Sequence, residues 1–321
     1  MLIFTFVRII LSPAIIYSST SWLEKQGIQS SIEDIDLNII DGSVSLINAT
    51  GNKGGEPLFN IGRVDIYWRW LPLSEKTIVI TNVLLHHFQI NIEQYTDEII
   101  IGGVTIPLTD AIGENNTSVV LEQEKKTTPW AASLGEVVFT ELDICYLQHT
   151  STHETATGES KYIDYCVNLD ETTWGGTISY ATDKTLLESD DLALTLTGDF
   201  ALNGLTVTDN KLNRVLLNSS SNTLDKVTFS GLNKIHINKL IMNDLSALKR
   251  EDEQHKDTVR FAQLTVHDIT FSDLNALSIN DITLDNPGVY LVKLKAETWE
   301  HQQWTPQQNN NQTTEASSAD N

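Results

Sequence analysis

Three groups of residues have the types and spacing to do chemistry: the adjacent pair His86-His87, the stretch QHTSTHETATGES with His149 and His153-Glu154, and the cysteines Cys145 and Cys166. Imidazole, carboxylate and thiolate are the ligands of zinc-type metals and the usual acid–base groups. Neighbouring side chains of a regular strand point to opposite faces, so His86 and His87 are not expected to hold one metal between them. His149 and His153-Glu154 fall in a polar hairpin loop without a supporting ligand pattern. The 43 Asp and Glu residues mostly alternate with apolar ones, which is how the wet face of a strand reads. No G-x-S-x-G, H-E-x-x-H, P-loop or G-x-G-x-x-G occurs, and Gly102-Gly103 and Gly175-Gly176 sit in strand context, as turns or bulges. No catalytic residue, metal site or cofactor is expected.

The cysteines lie in EVVFTELDICYLQ and KYIDYCVNLD, which flank that polar loop. Pairing the two as a hairpin with Cys145 opposite Cys166 sets Leu142 opposite Leu169, Ile144 opposite Val167 and Tyr146 opposite Tyr165. That puts one apolar side together and leaves both cysteines on the other. A cross-strand disulfide fits a non-hydrogen-bonded pair, where side chains are closest, and requires an oxidising compartment. Two free thiols are the alternative.

The elements that position these residues read as strands. The chain has 321 residues, 40% hydrophobic and 20% charged, a folded composition. Its net charge of −22 disfavours nucleic acid and anionic headgroups as partners. Past residue 30 no sustained helical stripe appears, and β-branched residues alternate with Asn, Asp, Thr and Ser.

One motif recurs nine times: apolar, two polar, apolar, one polar, apolar. Copies start at Ile32, Ile61, Ile80, Phe139, Leu202, Ile237, Phe261, Val266 and Ile279. A spacing of three breaks the two-residue period, so each copy predicts a bulge or bend that returns the chain to its core face. The copies keep no fixed period, which sets a leucine-rich repeat aside. The expected fold is mainly β: long, twisted, bulged antiparallel strands forming a curled sheet or open trough, with an N-terminal helix.

The expected organisation is a hydrophobic anchor helix over 1–26, a first β module over 27–112, a linker over 113–129, a second β module over 130–304, and a disordered low-complexity tail over 305–321. The first 23 residues are apolar except for Arg8 and a Ser/Thr patch, close to the roughly 20 apolar residues that a membrane helix needs. Pro13 and Arg8 interrupt them, and a signal-peptide cleavage site is missing. The segment TIVITNVLLHHFQINIE (77–93) reads as two strand pieces hinged at Thr81-Asn82.

The stretch from Gly27 to Glu93 resembles the N-terminal module of AsmA-like proteins of Gram-negative bacteria. The resemblance is carried by Gly27 after the helix, the pair around Gly42 in DGSVSL, Pro57-Leu58-Phe59, and the joint at Leu71 and Leu73. The stretches LTLTGDFALNGLTVTDNKLNRVLL and FSGLNKIHINKLIMNDLSALKR resemble the DUF-type relatives of that family. Family members are usually much longer. The resemblance implies an inner-membrane protein with its bulk in the periplasm, serving envelope biogenesis. It also implies a curled sheet whose apolar inside carries phospholipid.

The residues expected to line such a groove are Ile78, Ile80, Leu84, Phe88, Ile90 and Ile92, with Ile144, Tyr146, Tyr165 and Val167 from the second module. Expected partners are the inner membrane, phospholipid and other envelope proteins. The alternative function is a non-enzymatic assembly protein that binds another envelope protein through its sheet edges.

Overall fold

The computed structural model describes residues 2–108, 130–149, 162–181, 194–230, 234–248, 257–272 and 276–293. The expected linker, the tail and His153-Glu154 lie outside the described residues.

Helix α1 spans Leu2–Lys25 and carries Pro13 inside it. It stops where Gly27 takes a φ of +79°, the left-handed conformation that glycine adopts without a Cβ clash. The Gly27 N–H donates to the Glu24 carbonyl at 2.9 Å and the Ile28 N–H to the Leu23 carbonyl at 3.0 Å, closing a Schellman cap. Ile28 is fully buried there, so the cap also sets the exit towards the first strand. Among the described residues no helix is long and apolar enough to cross a membrane.

After the helix, the described residues are mostly strands, with a single 3-10 turn at Leu71–Glu75 among them. The long ones are β1 (Gln29–Asn38), β2 (Ser43–Lys53), β3 (Glu56–Arg69) and β4 (Thr77–Gln94). A hairpin of β5 (Glu98–Ile101) and β6 (Val104–Pro107) follows. The chain then continues in β7 (Ala131–His149), β8 (Tyr162–Ala181), β9 (Leu194–Asp209), β10 (Arg214–Ser230), β11 (Lys234–Ala247) and β12 (Val259–Ser272). Short β13 (Ala276–Ser278), β14 (Asp281–Asp285) and β15 (Gly288–Val289) all pair with β12. The stretch NKGGEPLFN is mostly the end of β2 and the start of β3, turning at Gly54-Gly55.

All fifteen strands form one sheet in the order β1-β2-β3-β4-β7-β8-β9-β10-β11-β12-β13. The ends of this path do not pair with each other, so the sheet does not close into a barrel. The described residues of both expected β modules contribute to that single sheet. Their seam is β4 against β7, and it is parallel. This differs from the all-antiparallel expectation. The 36 residues between Gln94 and Ala131 bring β7 back to the start of β4, the long crossover that a parallel pair requires.

The register shows why the strands are long and bent. Between β1 and β2 it skips Glu33 and Asn48; between β2 and β3, Asn48 and Gly62; between β3 and β4, Gly62 and His87. It then skips Glu141 on β7, Asp170 on β8, Gly204 on β9, Ser220 on β10, Asp244 on β11 and Ala262 on β12. These ten residues form one continuous crease across the ten long strands. On every second strand, except for the adjacent pair β4 and β7 at the parallel seam, the crease residue has a positive φ: Asn48, His87, Glu141, Gly204 and Asp244.

A second crease runs through Thr81, Gly135, Gly175-Gly176, Asp199, Lys226, Asn238 and Asp268. Each of these lies five or six residues along its strand from the first crease, about 20 Å at strand rise. All nine motif copies fall on the two creases, five on the first and four on the second. Sequence reading overlooked three further copies, at Leu85/Phe88/Ile90, Leu224/Val227/Phe229 and Met242/Leu245/Ala247. Strict two-residue alternation through His86-His87 masks the first of them.

Bulged strands bend and twist more. Glu33, Asn48, His87, Glu141, Asp170, Lys226, Asp244 and Asp268 at the creases are exposed, while the apolar Ile35, Ala49, Trp174, Val227 and Val266 beside them are buried. Polar residues on the outside of each bend and crowded apolar ones on the inside make the apolar face concave.

Candidate functional site

The apolar face is continuous. One row of directly opposed residues runs Leu37, Val44, Ile66, Val83, Val137, Trp174, Phe200, Leu224, Leu240, Val266 and Ile282, from β1 to β14 with no polar break. At about 4.8 Å per strand this row is about 48 Å long. It lies between the two creases. Beyond the first crease a parallel row runs through Phe59, Ile90, Ile144, Val167, Val207 and Leu217 to Val289. Beyond the second, Ile80, Leu134, Ile178, Leu196, Phe229, Ile235 and Phe271 make the third. The sheet is thus a three-panelled gutter with an apolar floor and apolar walls.

Most of these residues are only half-buried. Seven apolar residues are buried among the described residues, few for such a length of strand. There is no second sheet among the described residues, and α1 meets the sheet at β1. A packed sandwich would bury both rows of each strand's inner face.

Nine of the ten expected lining residues fall on this face. Ile78 and Ile80 lie on one wall; Phe88, Ile90, Ile92, Ile144, Tyr146, Tyr165 and Val167 lie on the other. Leu84 does not. It is opposed by Asp65 and Val138, and Asp65 shares its face with Ser45 and Arg63, which hydrogen-bond to it. Val83 and Leu85 take its place on the apolar face. The single-residue shifts at Thr81 and His87 each change which parity points inwards. Even numbers are therefore right at both ends of β4 and wrong between.

The expectation for His86 and His87 is corrected by the same shift. His87 has a φ of 52°, and both imidazoles stand on the polar face. His87 Nδ1 is 3.1 Å and His86 Nε2 4.0 Å from the same Glu141 Oε2. His149 belongs to β7 rather than to a loop. It stacks on Tyr95 with ring centres 4.2 Å apart, and its Nε2 is 3.4 Å from Glu93.

Cys145 and Cys166 stand opposite each other on the polar face with Cα atoms 4.1 Å apart, joined as a disulfide. Leu142 opposes Leu169, Ile144 opposes Val167 and Tyr146 opposes Tyr165. The Asn210 amide donates to Cys166 Sγ at 2.9 Å and covers it. With both sulfurs in the disulfide, the nearby Asp143 has no thiolate beside it to form a metal site.

The polar face also carries an ion pair between the exposed Arg63 and the buried Asp65. Arg63 donates through Nε and Nη2 to both Asp65 oxygens, at 2.7 and 3.0 Å, and Ser45 donates as well. Arg63's hydrogen bonds hold the Asp65 carboxyl below the usual carboxylate range, against the upward push of burial. A carboxyl whose folded pKa is depressed contributes stability above its unfolded pKa and loses it as pH falls through the folded value. Asp143 has the opposite sign, because burial raises its pKa. Urea midpoints measured from pH 5 to pH 2 are expected to fall more steeply for the natural protein than for Asp65→Asn; equal slopes would show that this pair does not act.

No protein-family model matches the chain, and no curated protein matches it.

Proposed function

We propose that this is a membrane-anchored protein of the bacterial envelope that holds or passes phospholipid along an apolar β gutter. The observation that carries the reading is the unbroken apolar row from Leu37 to Ile282, on a face that no second layer of the described residues covers. Such a patch exceeds what a soluble monomer leaves to water, and acyl chains match it in chemistry and shape. The polar convex face and the net charge of −22 keep the outside in water.

The disulfide supports an oxidising compartment such as the periplasm. Helix α1 supports attachment to the inner membrane, since its exposed Ile10, Leu11, Tyr17 and Trp22 have no cover from the sheet. The likeness to AsmA-like proteins in the spacing of Gly27, Gly42, Pro57 to Phe59, Leu71 and Leu73 supports the same reading. Among the described residues the apolar face brings no polar groups together for catalysis, so the reading is of carriage rather than reaction.

Native mass spectrometry of the full chain, extracted in mild detergent and then freed of it, tests this. Phospholipid adducts in defined number are expected. Protein free of lipid under conditions that keep the disulfide and the fold would overturn the reading. The two open edges, β1 and β12 with its short partners, favour a second reading in which a partner strand is added. Site-specific crosslinking from Ile32 that captures a protein in place of lipid would favour it.

A further inference from the structure

We propose that Thr172, Trp174 and Asn222 form the subsite that holds the ester carbonyls of a phospholipid in the gutter. The inference rests on the lipid-carriage reading and adds to it the part of the lipid that is recognised.

Between the two creases the floor carries a second row, two residues along each strand from the one through Trp174. It runs from Ile35 on β1 through Leu85, Phe139 and Leu202 to Leu284 on β14. Its only polar residues are Thr172 on β8 and Asn222 on β10, in the middle of the gutter. Trp174 Nε1, Thr172 Oγ1 and Asn222 Nδ2 are each buried without a hydrogen-bond partner. Buried polar atoms of folded proteins are nearly always partnered, so three on one stretch of floor call for a ligand that supplies the missing acceptors.

Local packing holds these groups in place. Trp174 is 8% exposed, and its indole leans over the Gly198 backbone, where an added Cβ would lie 2.8 Å from Cζ2. Asn222 Oδ1 accepts from the buried Ser219 hydroxyl at 3.1 Å, which fixes the amide and leaves its nitrogen to donate. Thr172 and Asn222 stand on either side of Leu202 in the row. Leu202 is half-buried, and rotation of its side chain opens both flanking donors to the gutter.

The chemistry of the donors selects the ligand. Indole and amide N–H groups donate and do not accept, and the Thr172 hydroxyl can donate as well. Acyl chains carry no acceptor. The ester carbonyls that join them to glycerol are the acceptors nearest the chains. Neither floor row contains Lys or Arg, so a phosphate on the floor would lie without a counter-charge, at a far greater desolvation cost than a neutral carbonyl. None of the three side chains titrates near neutral pH, so the ester is held there and not cleaved.

The test offers the full chain, freed of co-purified lipid, an equimolar mixture of dipalmitoyl phosphatidylethanolamine and its dihexadecyl ether analogue in detergent micelles. The two lipids share headgroup and chain length, and the ether lacks both carbonyls. Native mass spectrometry is expected to show the ester adduct in at least about fivefold excess. Trp174→Phe/Asn222→Leu keeps apolar bulk and leaves the Ser219 hydroxyl its bond to the Asn243 carbonyl. It should bring the two adducts to equal amounts while lipid is still bound. The isosteric Thr172→Val, a milder change should the double variant fail to fold, should lower the preference in the same direction. Equal uptake of the two lipids by the natural protein overturns the inference and leaves carriage intact. A folded double variant that keeps the ester preference overturns it as well. Uptake of neither lipid overturns the carriage reading itself, and this inference with it.

Discussion

Gly135→Val is expected to destabilise the protein by about 4 kcal/mol or more, or to stop it folding. Gly135 lies where the second crease crosses the parallel seam. A Cβ there would overlap the carbonyl oxygen of Thr81, with the Thr81 carbonyl carbon at 3.2 Å and Cα at 3.5 Å. These are backbone atoms, and no side-chain rotation relieves the overlap. β4 would have to move away from β7, and this one seam joins everything N-terminal of β7 to everything C-terminal of it. Gly175→Ala is the matched control. It belongs to the same crease, but nothing lies within 4 Å of its added Cβ, and its effect should stay within about 0.5 kcal/mol. Urea unfolding followed by tryptophan fluorescence measures both. Similar midpoints for the two variants would mean that the close approach at Thr81 does not constrain the seam.

The double variant Leu85→Gln/Phe139→Gln is expected to lower phospholipid occupancy about tenfold, while Leu84→Gln/Val138→Gln leaves it near the natural level. Leu85 and Phe139 oppose each other on the apolar face; Leu84 and Val138 oppose each other on the polar face, next in sequence. The four changes are alike in type and lie in the same pair of strands, so a general loss of stability would affect the two doubles alike. Placing an unpaired amide against acyl chains costs about 1–3 kcal/mol, which corresponds to roughly tenfold for each 1.4 kcal/mol. On the polar face the same amide meets water. Native mass spectrometry reads the occupancy. Equal losses in the two doubles would detach lipid from the apolar face and remove the main support for the proposed function.

Much of this architecture is visible before any coordinates. The apolar–polar alternation gives strands, and the spacing of three between apolar residues marks the bends, because a bulge must restore the buried parity. The register around Cys145 and Cys166 is legible because both flanks alternate without a bulge between Leu142 and Tyr146. The gutter-lining residues at the two ends of β4 are legible for the same reason. Each of these properties depends on a few neighbouring residues only.

Leu84 and the histidine pair were misread because facing depends on how many bulges lie between two points. The bulge at His87 lies in LHHFQI, where alternation was assumed to continue. Once His87 turns left-handed, its imidazole and that of His86 stand together over Glu141, 54 residues away in sequence. The parallel seam was also beyond local reading. It depends on where β7 returns after a long crossover, and no residue near Gln94 or Ala131 states that destination.

The sequence alone therefore determined the strands, their bends and the separation of an apolar from a polar face, since these follow from side-chain period and backbone sterics. Only the tertiary structure decided that the bends align into two continuous creases and that the two β stretches are one sheet. It alone showed which polar side chains converge on the convex face, because those outcomes depend on the pairing of distant strands.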